Sequence, residues 1–290
     1  MNLIKERGGT SVLIFLLFLF FVIVLITRVE AFTKPYEPSS LPSIQFKHTN
    51  APSSTLGLHY AHSGNVNKPG LLFIHGTPGS WDAFKVYLEN TQLQKDFFMV
   101  SVDRLGWGKS LMSLDKINGD FTPQAHSINT VLTQYPSKKW TLIGHSLGAS
   151  IAPKVALISP HKIEGLLLLA GSLSPKLGKP RWYNIVAKTW FISRLIGQDM
   201  RNSNREIAGL SKQLEIMNQE IRMHNLKANV VIMQGGKDKL VSPKNLSYAA
   251  REWANKTQSM ELIELENEGH FLPWKQTPLI IEVLYKLNRN

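Results

Sequence analysis

The sequence predicts an α/β fold in which helices cover both faces of a mostly parallel sheet. Short apolar runs alternate with amphipathic stretches along most of the chain, which is typical of strands joined by crossover helices. No segment repeats with a fixed period. The chain has 290 residues, of which 43% are apolar. It is therefore long enough for one large core with an insertion.

Six apolar runs are predicted to be strands, with helices between them. Two helices are predicted to start where a hydroxyl side chain precedes a proline, at Thr122–Pro123 and at Ser242–Pro243, because such a side chain caps the free N–H groups of a first turn. The predicted strands are Gly70–Ile74, Phe97–Val102, Trp140–Ile143, Gly165–Leu169, Asn229–Met233 and Met260–Leu265.

One connection is too long for a simple crossover. About fifty residues separate the strand that ends near Ala170 from the strand that begins near Asn229, far more than one helix and two loops need. This connection contains the aromatic stretch "RWYNIVAKTWF", and the spacing of its apolar residues is compatible with helices. Residues 175–227 are therefore predicted to form a helical cap, and residues 56–174 and 228–290 the core.

The N-terminal segment, residues 1–31, is predicted to direct the chain to a membrane. Lys5 and Arg7 precede an uncharged apolar run from Thr10 to Thr27. We expect a single-pass anchor with the folded part outside the cytoplasm, or, as the alternative, a secreted or periplasmic protein cleaved near Ala31. The Pro- and Ser-rich residues 32–55 are predicted to be a linker.

Composition excludes some classes of function. The chain has no cysteine, which excludes disulfides, a catalytic thiol and thiolate metal sites. Its formal net charge is +12, which favours anionic partners or membrane surfaces without identifying one. We expect no nucleic-acid partner.

The stretch "WTLIGHSLGAS" holds a serine between two glycines directly after a predicted strand and before a plausible helix. A sharp turn at this point would expose the Ser146 hydroxyl at the carboxyl end of the sheet. Gly144 and Gly148 suit the close approach of backbone on both sides of such a turn. Ser146 is thus a candidate nucleophile.

A serine nucleophile needs a base, and the base needs a group that orients it. His270 follows the last predicted strand, at the same end of the sheet as Ser146. Asp238 in "GGKDKLVSP" follows the last but one of the predicted strands. The end of the predicted strand that precedes it in the chain, "LLLLAGSLS", has no acid. His145 is expected to point away from the serine. Ser146, Asp238 and His270 are therefore the predicted catalytic residues.

Over roughly Leu56 to Lys286 the chain resembles the α/β-hydrolase-fold serine hydrolases of the esterase and lipase kind, with a cap insertion. The order Ser, Asp, His makes the set of motifs specific. The resemblance rests on "HGTPGS" (His75–Ser80), "DRLGWGKS" (Asp103–Ser110), "GHSLG" (Gly144–Gly148), "GGKDKLVSP" (Gly235–Pro243) and "GH" (Gly269–His270).

The resemblance implies an acyl-enzyme mechanism without a cofactor or metal. Oxyanion-binding N–H groups would fall on Thr77 and Leu147. A serine at the turn argues against relatives that use an aspartate there, such as epoxide hydrolases. The expected substrate is a small-molecule or lipid carboxylic ester. Action on N-terminal peptide residues, thioesters, lactones or carbon–carbon bonds remains open, because these reactions use the same residues.

Two functions of other classes compete with hydrolysis. "GWGKS" resembles the end of a phosphate-binding loop, but the first glycine of that motif would fall on Asp103, whose carboxylate would repel phosphate. A non-catalytic binding protein on the same fold is the other alternative. Such chains usually lack a triad member, and here all three candidates are present.

Overall fold

A sheet of eight strands forms the centre of the structure, a computed structural model that describes residues 44–49, 57–110, 119–180 and 197–289. Within the described residues the strand order is β1-β2-β4-β3-β5-β6-β7-β8. Strand β2 pairs antiparallel with β1 and with β4, and the other neighbouring strands pair parallel. The strands are β1 (Gln45–His48), β2 (His59–Gly64), β3 (Gly70–Ile74), β4 (Phe98–Val102), β5 (Trp140–His145), β6 (Ile163–Leu169), β7 (Leu226–Gly235) and β8 (Thr257–Leu265).

Helices connect these strands, as the alternating sequence pattern predicts. A short 3₁₀ turn, Trp81–Phe84, precedes the first of them. The helices are α1 (Lys85–Leu88), α2 (Thr91–Asp96), α3 (Phe121–Thr133), α4 (Leu147–Ile158), α5 (Gln198–His224), α6 (Asn245–Glu252), α7 (Leu272–Lys275) and α8 (Thr277–Leu287).

Successive residues of β3 show that both faces of the sheet are covered. The Phe73 ring packs against Phe84 and Tyr87, with ring centroids 4.9 and 5.4 Å apart. Its neighbours Leu72 and Ile74 instead join the large core that includes α3, α4 and α5. Because adjacent residues of a strand point to opposite faces, apolar side chains cover each face. The predicted α/β fold is confirmed.

Both predicted helix starts are wrong by a few residues. Helix α3 begins at Phe121, where the Asp120 side chain accepts a hydrogen bond from the Thr122 N–H at 2.9 Å. The capping group is thus a carboxylate two residues before the predicted hydroxyl. Helix α6 begins at Asn245 because the Ser242 carbonyl first closes a turn onto the Asn245 N–H, at 3.0 Å.

Strand β1 lies inside residues 32–55, which the sequence predicts to be a linker. It pairs antiparallel with β2. All four of its residues are exposed, so no alternation of apolar and polar residues marks it as a strand. Its Phe46 ring nevertheless stacks on His59 with centroids 5.6 Å apart. The ordered fold therefore reaches further towards the N-terminus than the predicted start near Leu56.

Helix α5 occupies much of the predicted cap, residues 175–227, whose residues 181–196 lie outside the described part. The helix is anchored along its length. Ser211 Oγ donates to the Pro175 carbonyl at 2.8 Å, and Asn218 Nδ2 donates to the Leu173 carbonyl at 2.9 Å. Lys154 of α4 forms an ion pair with Glu220 at 2.6 Å. The domain boundaries as a whole remain a prediction.

The predicted membrane anchor requires a correction. A spanning helix needs about 20 predominantly apolar residues. Helix α5 has 27 residues, but charged side chains such as Arg205 and Glu206 recur along it. Across the described ranges no helix is both long enough and apolar enough to cross a membrane. This finding overturns the predicted single-pass anchor and the localisation outside the cytoplasm derived from it; the run Thr10–Thr27 itself lies outside the described residues.

His62 of β2 is a buried histidine that is expected to make stability depend on pH. Burial, and then the charge of Lys47, lowers its pKa from 6.5 to about 4. Between pH 6.5 and pH 4 the unfolded chain therefore binds a proton that the native chain does not. The contribution of this residue is fully present above pH 6.5 and is lost as the pH falls towards 4.

His62→Phe should reduce that loss of stability. Its Nε2 is buried and makes no hydrogen bond among the described residues, so the substitution removes no partner. Phenylalanine also suits the site, because the His62 ring already lies 5.6 Å from Phe98. The decrease in unfolding free energy from pH 8 to pH 5 should shrink by about 1–2 kcal/mol in urea titrations. The surface substitution His161→Gln is the control, and an unchanged decrease in His62→Phe would contradict the assignment.

Candidate active site

Ser146 occupies a sharp turn between β5 and α4. Its backbone has φ 54° and ψ −117°, outside the regions that residues with a side chain normally adopt. A Cβ on Gly144 would lie 2.5 Å from the Ala149 nitrogen, and one on Gly148 would overlap the Ile74 carbonyl oxygen. The turn thus exists because both flanking residues are glycine. It places Ser146 at the carboxyl end of the central strand β5.

Gly148→Ala should test the packing of this turn. The added methyl group meets backbone atoms that cannot rotate away, the Ile74 carbonyl and the His75 carbonyl oxygen at 2.7 Å. We expect a loss of about 2–4 kcal/mol in the unfolding free energy measured with urea. Gly197→Ala is the matched control, since no other atom of the described residues lies within 4 Å of its added Cβ. Equal effects of the two substitutions would refute the steric explanation.

Asp238 and His270 form a buried hydrogen-bonded pair. Asp238 lies in the loop after β7 and His270 in the loop after β8, the neighbouring strand. His270 Nδ1 donates to Asp238 Oδ2 at 2.7 Å, and Gln234 Nε2 donates to the same oxygen at 3.0 Å. Asp238 Oδ1 accepts two backbone N–H groups, those of Leu240 and Val241, both at 2.8 Å. Both carboxylate oxygens therefore have fixed partners.

These contacts keep Asp238 ionised. Burial alone raises the pKa of its carboxyl group, but the hydrogen bond and charge of His270 and the two backbone N–H groups outweigh burial, so the pKa lies below its ordinary value of 3.8. A charged Asp238 fixes the proton of His270 on Nδ1. The Nε2 of His270 is then left as the ring atom that accepts a proton.

His145, the residue before Ser146, joins the serine turn to the histidine loop. Its Nε2 donates to the His270 carbonyl oxygen at 3.0 Å, and its ring centroid lies 4.9 Å from that of His270. Burial, and then the neighbouring His270, lowers the pKa of His145 to about 3, so it is a neutral donor. The structure thus brings Asp238 and His270 into direct contact and ties the His270 loop to the residue next to Ser146.

The two candidate oxyanion donors flank Ser146. Leu147 is the first residue of α4, so its N–H has no acceptor within the helix. Thr77 belongs to the loop after β3, and a Cβ on the preceding Gly76 would lie 3.0 Å from the Ser146 Cβ. The Thr77 loop therefore packs directly against the serine.

A buried ion pair beside this loop was not predicted from the sequence. The guanidinium of Arg104 is fully buried and bonds Glu206 of α5, with Nη1 to Oε1 at 2.7 Å and Nη2 to Oε2 at 3.1 Å. Nη2 also donates to the Gly76 carbonyl at 2.8 Å, and Nε donates to the His75 carbonyl at 3.0 Å. The sequence gives no clear signal of this pair, because Arg104 stands among other charged residues in the turn motif "DRLGWGKS".

The turn that resembles a phosphate-binding loop is filled by its own carboxylate. Asp103 Oδ2 accepts from His59 Nδ1 at 2.7 Å and from the Lys109 N–H at 2.9 Å, and Oδ1 accepts from the Trp81 N–H at 2.8 Å. These donors are thus occupied within the protein. In the described part of the chain, no cluster of three or more His, Asp or Glu side chains is arranged to hold a metal ion.

Comparisons with known proteins agree with this architecture. Residues 69–191 match the family model of the alpha/beta hydrolase fold. The structure of wild-type Cfl2 from Burkholderia cenocepacia superimposes with a TM-score of 0.70 at 17% identity, covering 88% of this chain and 100% of that one. The chain has the α/β-hydrolase fold.

Curated relatives of this α/β-hydrolase-fold chain carry different activities in their names. Epoxide hydrolase 3 of Mus musculus is 29% identical over 119 residues, which cover 41% of this chain and 32% of the relative. A putative esterase/lipase of Haemophilus influenzae is 29% identical over 113 residues, which cover 39% and 38% respectively. The matches thus span about a third of the length of these relatives.

Proposed function

We propose that this chain hydrolyses carboxylic esters through an acyl-enzyme formed on Ser146. The observation that carries the proposal is the buried Asp238–His270 pair at 2.7 Å, whose histidine loop is tied through His145 to the strained turn that bears Ser146. A nucleophile at a sharp turn, with a histidine oriented by a buried carboxylate, is the arrangement that activates a serine hydroxyl.

In the proposed reaction Ser146 Oγ attacks the ester carbonyl carbon while its proton passes to His270 Nε2. The carbonyl oxygen becomes an oxyanion, which the N–H groups of Thr77 and Leu147 stabilise. The tetrahedral intermediate expels the alcohol, which takes the proton from His270, and leaves the acyl group on Ser146. Water then attacks the acyl group, gives a proton to His270, and releases the acid. The proton returns to Ser146.

Asp238 has an electrostatic role in this scheme. When His270 accepts a proton it becomes a cation in a buried site, where an unpaired charge is costly. The ionised Asp238 carboxylate at 2.7 Å compensates that charge in both steps. Its bonds to the Leu240 and Val241 N–H groups hold the carboxylate in place throughout the cycle.

The residue at the turn separates ester hydrolysis from epoxide hydrolysis. A carboxylate that opens an epoxide forms an ester, which water can cleave. A serine would instead form an ether, and water does not cleave an ether under the same conditions. The chain has Ser146 at this position, so we propose ester cleavage despite the names of several relatives. The esterase/lipase relative is consistent with this choice.

Esters are proposed before amides because an alcohol is the easier leaving group for this apparatus. Peptide, thioester, lactone and carbon–carbon substrates make the same demands on Ser146 and His270 and differ in the pocket that receives them.

A fluorophosphonate probe tests the mechanism, because it reacts with an activated serine hydroxyl. Ser146 should become labelled, as identified by mass spectrometry of the peptide that contains it, and Ser146→Ala should not. Turnover is then measured with p-nitrophenyl esters of increasing acyl length, amino-acid amides and styrene oxide. Ester cleavage exceeding both others supports the proposal. Absence of labelling, or faster opening of the epoxide, would overturn it.

A further inference from the structure

We propose that Arg104 and Glu206 are positioning residues that fix the Gly76–Thr77 peptide and so couple helix α5 to oxyanion stabilisation. The inference rests on the proposed function, in which the Thr77 N–H is an oxyanion donor. Neither residue is a triad member, and they are 102 positions apart in the chain. Arg104 lies in the turn after β4, while Glu206 lies on α5.

The direction of the Thr77 N–H follows from the geometry of the Gly76–Thr77 peptide bond. The carbonyl of Gly76 and the N–H of Thr77 belong to one planar unit and point in opposite directions when the bond is trans. The Gly76 oxygen accepts from Arg104 Nη2 at 2.8 Å and from His75 Nδ1 at 2.8 Å. Two donors on the oxygen fix the plane of the peptide. They therefore also fix the direction of the Thr77 N–H.

The charge of Arg104 adds to this effect. A hydrogen bond from a cation polarises the carbonyl that accepts it, and polarisation along a peptide unit makes its N–H a stronger donor. Arg104 Nε binds the His75 carbonyl, so two successive carbonyls of the loop contact one guanidinium. The cation thus acts on the oxyanion through the peptide, without contact with the substrate.

Glu206 allows that cation to be buried. An unpaired guanidinium would not remain in a fully buried site, and Glu206 satisfies it with two parallel hydrogen bonds at 2.7 and 3.1 Å. Trp107 Nε1 also donates to Glu206 Oε1, at 3.2 Å, and holds the carboxylate in this orientation. Because Glu206 lies on α5, the position of this helix sets the position of Arg104 and, through it, the Thr77 loop.

The test compares Glu206→Gln with a control on the same helix. Glutamine keeps the size of the side chain but removes its charge and one of the two oxygens that accept from Arg104. Glu220→Gln removes a comparable charge from α5, but Glu220 pairs with Lys154 and does not contact the Thr77 loop. Arg104→Lys is the second test variant, since lysine keeps the charge but cannot form the two-pronged contact.

Three measurements are made on each full-length variant: the rate of fluorophosphonate labelling, kcat and KM for a p-nitrophenyl ester, and hydrogen–deuterium exchange of the peptide His75–Ser80. We expect Glu206→Gln and Arg104→Lys to lower the labelling rate and kcat by about tenfold to a hundredfold with little change in KM. Exchange of the loop peptide should accelerate in both. Glu220→Gln should leave all three measurements close to those of the unmodified protein.

The outcomes separate this inference from the proposed function. If the unmodified protein labels and both test variants label at the same rate, the inference is wrong. Equal losses in Glu220→Gln would also overturn it, because the effect would then be a general loosening of α5.

If the unmodified protein does not label, the proposed function fails, and the exchange data alone decide whether Arg104 and Glu206 fix the Thr77 loop. Faster loop exchange in the test variants but not in the control supports it, and unchanged exchange refutes it. Should Arg104→Lys fail to fold, Glu206→Gln decides the question.

Discussion

Replacing Ser146 or His270 by alanine is expected to abolish ester turnover without unfolding the protein. Each substitution removes one half of the proton transfer that creates the nucleophile. We expect kcat to fall by about 10⁴- to 10⁶-fold in either variant. The circular dichroism spectrum should stay native, because the turn is held by Gly144 and Gly148 and not by the Ser146 hydroxyl.

The double variant should be scarcely slower than either single variant, since the two residues act as a unit. Ser127→Ala is the control, because it removes a buried serine hydroxyl from α3, whose partner is the Gln124 carbonyl. Losses that multiply in the double variant would show that Ser146 and His270 act independently. Turnover that survives in Ser146→Ala would place the nucleophile elsewhere.

Asp238→Asn should reduce kcat by about 10⁴-fold while leaving the site nearly the same shape. An amide has one acceptor, but Asp238 receives hydrogen bonds on both oxygens, from backbone N–H groups on Oδ1 and from Gln234 and His270 on Oδ2. An NH₂ group on the His270 side would face the Nδ1–H and favour the wrong tautomer. It would also remove the charge that stabilises protonated His270.

A second buried pair provides the control for this variant. Asp103 binds His59 Nδ1 at 2.7 Å, as short as the Asp238–His270 contact. Asp103→Asn should lower the unfolding free energy but cost far less activity than Asp238→Asn. Near-normal kcat in Asp238→Asn, measured with the same p-nitrophenyl ester, would mean that another acid orients the base.

The sequence was sufficient to predict the parallel part of the sheet, and it pointed to a candidate triad whose catalytic role stays a prediction. Both depend on local signals. Buried strands such as β3 and β5 are continuous apolar runs, and the turn at Ser146 requires glycines at fixed spacing. Asp238 and His270 could be chosen because parallel strands bring their carboxyl ends to one edge of the sheet.

Other features were beyond the sequence because their causes are distant or weak. Glu206 is one of several charges on an amphipathic helix, and nothing nearby in the chain shows that it pairs with Arg104. His145 was expected to point away from Ser146, and no local pattern indicates that its ring binds the His270 backbone. Strand β1 is exposed on all four residues, so it lacks the apolar alternation that marks other strands.

The position of β8 at the edge of the sheet has a consequence for how activity and stability are related. Ser146 follows the fully buried strand β5, whereas His270 follows β8, whose residues are only partly buried or exposed. Edge elements with little buried surface open at a lower free energy than the rest of a protein. Separation of β8 from β7 would part His270 from Asp238 while the central strands stay folded. Under the proposed mechanism, the free energy of this local opening therefore limits the stability of the active state, and that limit is lower than the global unfolding free energy.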